Sequence, residues 1–289
     1  MRLAFVILAH KRPDQLIRLV DRLTGPQIDF FIHVDRRTDD STFALMKEPF
    51  SDRRDVSFVS RHVCRWGRFG YVRGTLGAIG EIVRRGEDYD YVVLLSGQDY
   101  PIKPMHHIVG HLGSHRGTSF MEHFPLPRKE WSGRGGMERF QYRGGRLLGR
   151  VWRFPDRRLT RWLPLRTDLP GNLPPHAGST WWLLESPCID YVHRFVEENP
   201  DIVDGFARAR NPAESFFQMI LLTSPMATRI RNDDLHYVDW SEDADHPEIL
   251  RMHHLPALRD SPNLFARKFD VSVDPEILDA VDAQLLAEG

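Results

Sequence analysis

The chain has 289 residues, enough to bury a full core as one large α/β domain or two modest ones. Its 39 basic and 40 acidic residues leave a formal charge of -1, which counts against a nucleic-acid partner and gives no sign of an acidic tail. Two cysteines, Cys64 and Cys188, are too few for a disulfide framework or a cysteine metal cluster. A reducing, cytoplasmic setting is therefore the expectation.

Leu3–Leu8 is an apolar run that reads as a first strand, too short to span a bilayer or to act as a signal peptide. It ends in Ala9-His10-Lys11-Arg12-Pro13. Pro13 suits a first helical turn, and Leu16, Ile17, Leu19, Val20 and Leu23 make one face of the helix that follows. Phe30–Val34 is a second strand ending at Asp35, and Val56–Val59 a third. A helical pattern over 69–85 carries Leu76, Ile79, Ile82 and Val83, and Tyr91–Leu95 is a fourth strand. This alternation predicts an α/β fold with a mostly parallel central sheet covered by helices.

After Pro104 the pattern changes. Thr118–Glu122 reads as a strand, but 125–175 is dense in Pro, Gly, Arg and Trp, with little periodicity. Within it, residues 128–166 hold eleven Arg and one Lys against three acids, which leaves a peripheral membrane contact through this Arg/Trp-rich stretch open. A structureless segment of that length inside a fold is usually functional. Order returns with a strand at Thr180–Leu184, a helix over 187–198, a helix from Asn211, and a terminal helix around Pro275–Leu286. The expected organisation is one domain. Its nucleotide-binding half is about 1–124, the excursion about 125–175, and the acceptor half about 176–289.

The strand ends carry the candidate chemistry. Gln98 and Asp99 lie just past the fourth strand, where a carboxamide and a carboxylate either hold a base or ribose or cap the loop. His10 is placed for a nucleotide contact or for loop packing. Asp35 could meet a ribose or cap its turn, and Trp66 could close over a ligand or join the core. Asn211-Pro212-Ala213-Glu214 reads in two conflicting ways. Asn211 can be an N-cap with Glu214 closing a capping box. Alternatively, Glu214 is a rigidly held general base whose carboxylate turns away from its own turn. In Phe265-Ala266-Arg267-Lys268-Phe269, two adjacent cations between apolar anchors are either a solvated pair or a diphosphate site, with Arg267 bidentate and Lys268 a point charge.

No metal site is expected. His106-His107, His176 and His253-His254 lack the spacing of a zinc site, and Asp243-Ala244-Asp245 has no strand leading into it.

Together these stretches resemble the core-2/I-branching β-1,6-N-acetylglucosaminyltransferase family, which includes peptide O-xylosyltransferases. The matching pieces are Ala9-His10, Ile32-His33-Val34-Asp35, Leu95 to Lys103, Gly178-Ser179-Thr180-Trp181-Trp182, Ala213 to Phe217, Val238 to Ser241 and Phe265 to Phe269. The resemblance implies a variant GT-A (Rossmann-like) nucleotide-sugar transferase fold and inversion at the anomeric carbon without a divalent metal or cofactor. A UDP-sugar would be the donor, supplying GlcNAc or xylose, and a glycan or other hydroxyl compound the acceptor. Glu214 would be the base, Arg267 and Lys268 would take the diphosphate, and His10 and Asp99 the nucleotide or donor. The xylosyltransferase branch places an aspartate after Gly-Ser where this chain has Thr180. The alternative is a nucleotide- or glycan-binding protein that keeps the fold without turnover.

Overall fold

The computed structural model describes residues 1–147, 150–154, 162–240 and 246–287. Its strands are, in chain order, β1 (Leu3–Ala9), β2 (Ile28–Val34), β3 (Val56–Phe58), β4 (Tyr91–Ser96), β5 (Asp99–Pro101), β6 (Ser119–Met121), β7 (Phe124–Pro125), β8 (Gln141–Leu147), β9 (Arg150–Phe154), β10 (Leu165–Thr167), β11 (His176–Ala177), β12 (Trp182–Glu185), β13 (Ile230–Arg231), β14 (His236–Val238) and β15 (Phe265–Arg267). Seven of them form the central sheet in the order β13-β6-β12-β4-β1-β2-β3. All neighbours pair parallel except β12, which runs antiparallel to both β4 and β6. The α/β class and the mostly parallel sheet are as the alternation predicted.

A buried parallel strand must be apolar on both faces, and β1 shows how the period-2 geometry divides its residues. Leu3, Phe5, Ile7 and Ala9 join one core with the helix Pro13–Leu23 and the C-terminal segment. Ala4, Val6 and Leu8 join the other, with the helices Gly70–Arg85, Ser186–Glu198 and Phe216–Leu222. The chain leaves β1 towards β2 and β3, then returns to place β4 on the other side of β1. That reversal opens a crevice beyond the carboxyl ends of β1 and β4.

Three readings are corrected. Residues 125–175 contain an antiparallel sheet ordered β10-β8-β9, so the excursion is not structureless; the glycines and arginines of β8 hide its strand character from periodicity. The helix expected from Asn211 begins at Phe216, after a short 3-10 turn over Pro212–Glu214. Helices at Asp40–Lys47, Met105–Ser114 and Pro200–Arg208 escaped the sequence reading. Among the described residues no helix is long and apolar enough to cross a membrane.

Candidate active site

The crevice is built from strand ends. A short sheet, β14-β15-β5, stands at its edge, and its register sets Arg267 directly opposite Asp99. Asp99 is fully enclosed. Its Oδ2 accepts the Ser96 N–H, and its Oδ1 lies 3.2 Å from Arg267 Nε. The Arg267 guanidinium rests 4.2 Å from the Trp181 ring centroid and is itself largely buried. Burial lowers its pKa, while Asp99, Asp234 and Tyr71 oppose that loss. Asp99 therefore caps its loop through the Ser96 N–H, the second of its two expected roles, and supplies the counter-charge to Arg267 through an ion pair without hydrogen-bond geometry.

Lys268 follows on the same segment, whose apolar anchors Phe265 and Phe269 are both fully buried. Among the described residues its side chain has no hydrogen-bond or ion-pair partner, and its pKa is lowered by burial, then by Arg267 and Lys11. Lys11 and Arg12 are held instead by Asp270, whose carboxyl lies far below the usual range. Burial alone would raise it; Lys11 and Ser272 more than offset that. Gln98 is also spent on this segment: its Nε2 donates to the Phe269 carbonyl at 3.1 Å, while the Phe269 N–H donates to the Gln98 carbonyl at 2.8 Å. Gln98 thus clamps the cation strand in place, the structural one of its two expected roles.

His10 is solvent-exposed on one side, yet desolvation lowers its pKa, with Lys11 adding to the effect and Asp35 opposing it. Beside it Asp35 accepts the Arg37 and Cys64 N–H groups and forms an ion pair with the Arg37 guanidinium. Burial would raise the Asp35 carboxyl, but these donors outweigh it and hold the group below its ordinary value. His10, Lys11, Arg12, Asp35, Arg37 and Thr38 are among the residues lining an open depression of about 570 Å³. Asp35 is one wall of it, with its charge already balanced by Arg37.

Glu214 closes the short turn Pro212–Glu214. Asn211 adopts a left-handed conformation and makes no side-chain cap, so the capping box does not form. The Glu214 side chain instead pairs with Arg139, and its carbonyl accepts the Gly178 N–H at 2.9 Å. Trp66 is well exposed and sits edge-on to His246. The neighbouring Gly67 accepts the Asn211 N–H, which puts the Trp66 loop on the Glu214 side.

The register joins the two halves. Ala177 pairs with Phe124 and Trp182 with Met121, so four residues, Gly178–Trp181, face only Glu122 and His123. This two-residue bulge carries Gly178 against Glu214 at one end and Trp181 under Arg267 at the other. Three residue steps cover at most about 11 Å, which bounds the separation of those two anchor points. Gly178 is required there: a Cβ would fall 1.9 Å from the Glu122 carbonyl oxygen. Glu122, Arg139 and Trp181 were missed as site residues. Glu122's carboxyl is raised by burial and then by Asp234. The motif Gly178 to Trp182 was the available signal for the bulge; of its two partners, β6 falls within the strand read at Thr118–Glu122, but β7 was not legible.

Among the described residues one group has metal-ligand spacing, Glu248, His253 and His254. His254 Nδ1 accepts the Arg251 N–H at 3.0 Å, so Nε2 carries the proton and faces Asp239 at 3.3 Å and Glu248 at 3.6 Å. A metal on Nε2 would have to push that proton onto Nδ1, against a donor. Asp243 and Asp245 lie outside the described residues.

Cations and a carboxylate gathered beyond the carboxyl ends of parallel strands define an α/β protein with a charged crevice where its strand order reverses. The chain belongs to the Core-2/I-Branching enzyme family, whose profile matches residues 3–258; this is the glycosyltransferase family that the motifs resemble. It is 24% identical over 314 residues to xylosyltransferase 2 of Canis lupus familiaris, covering 99% of this chain and 34% of the relative. It is 24% identical over 310 residues to a xylosyltransferase of Ciona intestinalis, covering 100% and 34%. The chain thus spans about a third of the length of these relatives. A solved structure of 4-diphosphocytidyl-2C-methyl-D-erythritol synthase from Anaerococcus prevotii aligns over 68% of this chain and 74% of its own, at 9% identity and a TM-score of 0.32, too distant to bear on function.

Proposed function

We propose that this chain is an inverting, metal-independent glycosyltransferase that moves GlcNAc or xylose from a UDP-sugar to a hydroxyl of a glycan or other acceptor. The observation that carries the reading is Lys268, half-buried and unpartnered among the described residues, beside an Arg267 that lies between Asp99 and the Trp181 ring. An anion is the missing partner, and a diphosphate meets both charges at once. Glu214, turned away from its own helical turn, takes the proton from the acceptor hydroxyl. The freed oxygen attacks the anomeric carbon opposite the nucleotide, the bond to the diphosphate breaks, and UDP leaves with the electron pair. Negative charge grows on the departing β-phosphate, so Arg267 and Lys268 stabilise the transition state more than the bound donor. These fixed cations take the part that a divalent ion plays elsewhere.

His10 and the depression beside Asp35 would receive the nucleoside, and the bulge 178–181, with Glu122 opposite it, would line the reacting sugar. Trp66, exposed beside these loops, would close over the bound donor. The test is a screen of UDP-sugars against a mixed glycan panel in EDTA. Donor-specific transfer, within about twofold of the rate without EDTA, is the expected result. A loss reversed by manganese would reject the metal-independent mechanism, and UDP binding with neither transfer nor hydrolysis would leave a binding protein instead of an enzyme.

A further inference from the structure

A general base must hold one direction, and Glu214 has a partner that the donor side does not use. Arg139 belongs to the 3-10 turn Met137–Phe140, 75 residues before Glu214 in the chain. Its Nη2 donates to Glu214 Oε2, and its guanidinium lies 4.2 Å from the Trp131 ring centroid. Nη1 reaches Glu138 Oε1 at 3.4 Å. The Arg139 carbonyl accepts the Arg210 N–H at 3.0 Å, which ties its turn to the residue just before Asn211. Main chain and side chain therefore both bind the Arg139 turn to the Glu214 turn.

As a device for stability this arrangement is poor. The Arg139 side chain is 9% exposed while that of Glu214 is 34% exposed. Among the described residues, Arg139 Nε and Glu138 Oε2 are buried without a hydrogen-bond partner. Orphaned buried polar atoms cost more than an ion pair to a partly exposed carboxylate returns. What the arrangement does supply is direction. The guanidinium is planar and pinned by an indole, so it restricts the carboxylate to one orientation. With Oε2 held, Oε1 is left to meet the acceptor.

We infer that Arg139 is a positioning residue that fixes the Glu214 carboxylate for proton abstraction, and that the arginine-rich excursion thereby completes the active site. This inference rests on Glu214 being the base. The reaction is unchanged: the proton still passes from the acceptor hydroxyl to Glu214, and Arg139 exchanges nothing.

The test uses Arg139→Ala, Arg139→Lys and Glu214→Gln in the full chain. The reaction followed is UDP release from UDP-xylose or UDP-GlcNAc, whichever the wild type turns over, in the presence of the mixed glycan panel. UDP affinity comes from calorimetry and folding from thermal melting. Misplacing a catalytic group by about 1 Å costs about a hundredfold, so Arg139→Ala should lose roughly 30-fold or more in kcat. Donor KM and UDP affinity should stay within about twofold, because the side chain touches neither. Guanidinium ion should recover about tenfold of the lost rate by filling the gap, and Arg139→Lys, which keeps charge without the planar fork, should stay below wild type.

A folded Arg139→Ala with kcat within about twofold of wild type overturns the inference, as does a loss that follows melting temperature and ignores guanidinium. If the Arg139 variants keep their rate while Glu214→Gln loses it, this inference alone fails. If Glu214→Gln keeps its rate, or the wild type turns over neither donor, the base reading fails and this inference with it.

Discussion

Asp99→Asn separates an aiming role from direct ligand contact. Asn keeps the shape and can still accept the Ser96 N–H, but it turns an amide towards Arg267 and removes its counter-charge. At 3.2 Å and an effective dielectric near 20, the pair attracts by about 5 kcal/mol. Breaking a buried pair costs about 3–5 kcal/mol. Asp234 and the Trp181 face remain beside Arg267, which puts the loss at the low end, about 3 kcal/mol, or about 6 °C in Tm for a chain of this size. Arg267→Met should cost a similar amount by stranding an enclosed carboxylate. The double variant removes both charges and should be less destabilised than the sum by about 2 kcal/mol. Urea unfolding of the four proteins gives the cycle, and UDP calorimetry should show about tenfold weaker binding for Asp99→Asn, through the lost aim of Arg267. Single effects that add to within about 0.5 kcal/mol would refute the coupling. Unchanged UDP affinity in Arg267→Met would refute the diphosphate assignment.

Glu214→Gln should cut turnover about a hundredfold or more with UDP affinity and Tm near wild type, since no cap is lost; steady-state kinetics and calorimetry on one preparation check this. Lys268→Ala should weaken UDP binding and cost about 3 kcal/mol of transition-state stabilisation, read as a fall of about a hundredfold in kcat/KM. His33 is buried, its Nε2 accepts the His62 N–H at 2.9 Å, and burial, then His62, lowers its pKa from 6.5 to about 4. A depressed histidine pKa means the unfolded chain binds the proton first. Stability is therefore lost as pH falls from 6.5 to about 4, by up to about 3 kcal/mol from this residue. The stability gap between wild type and His33→Gln, measured in urea at pH 7 and pH 4.5, should narrow at the lower pH; a constant gap would contradict the assignment.

Much of the scaffold was legible because its signals are local. The apolar runs of β1, β2 and β4 and the 3.6-period faces of Pro13–Leu23 and Gly70–Arg85 depend on residues a few positions apart. Strand ends then follow, and with them His10, Asp35, Gln98 and Asp99; the two phenylalanines around Arg267 and Lys268 announced an anchored cation pair. β8 was hidden because glycine and arginine carry no period-2 signal, and β12 gave no sign of its reversed direction.

What tertiary structure alone decided is which partner each polar side chain took. Local chemistry favoured a capping box for Glu214, yet Arg139, 75 residues away, holds its carboxylate outside the turn. Asp99 and Gln98 were read as nucleotide contacts or loop caps; the fold pairs one with Arg267 and sets the other against Phe269, 171 residues along the chain. The bulge at Gly178–Trp181 exists only as a mismatch between two ladders and cannot be seen in either strand by itself. Periodicity acts over one turn or one pleat and is written in the sequence. The choice of hydrogen-bond and ion-pair partner depends on which segments packing brings within about 3 Å, and that is settled by the whole fold.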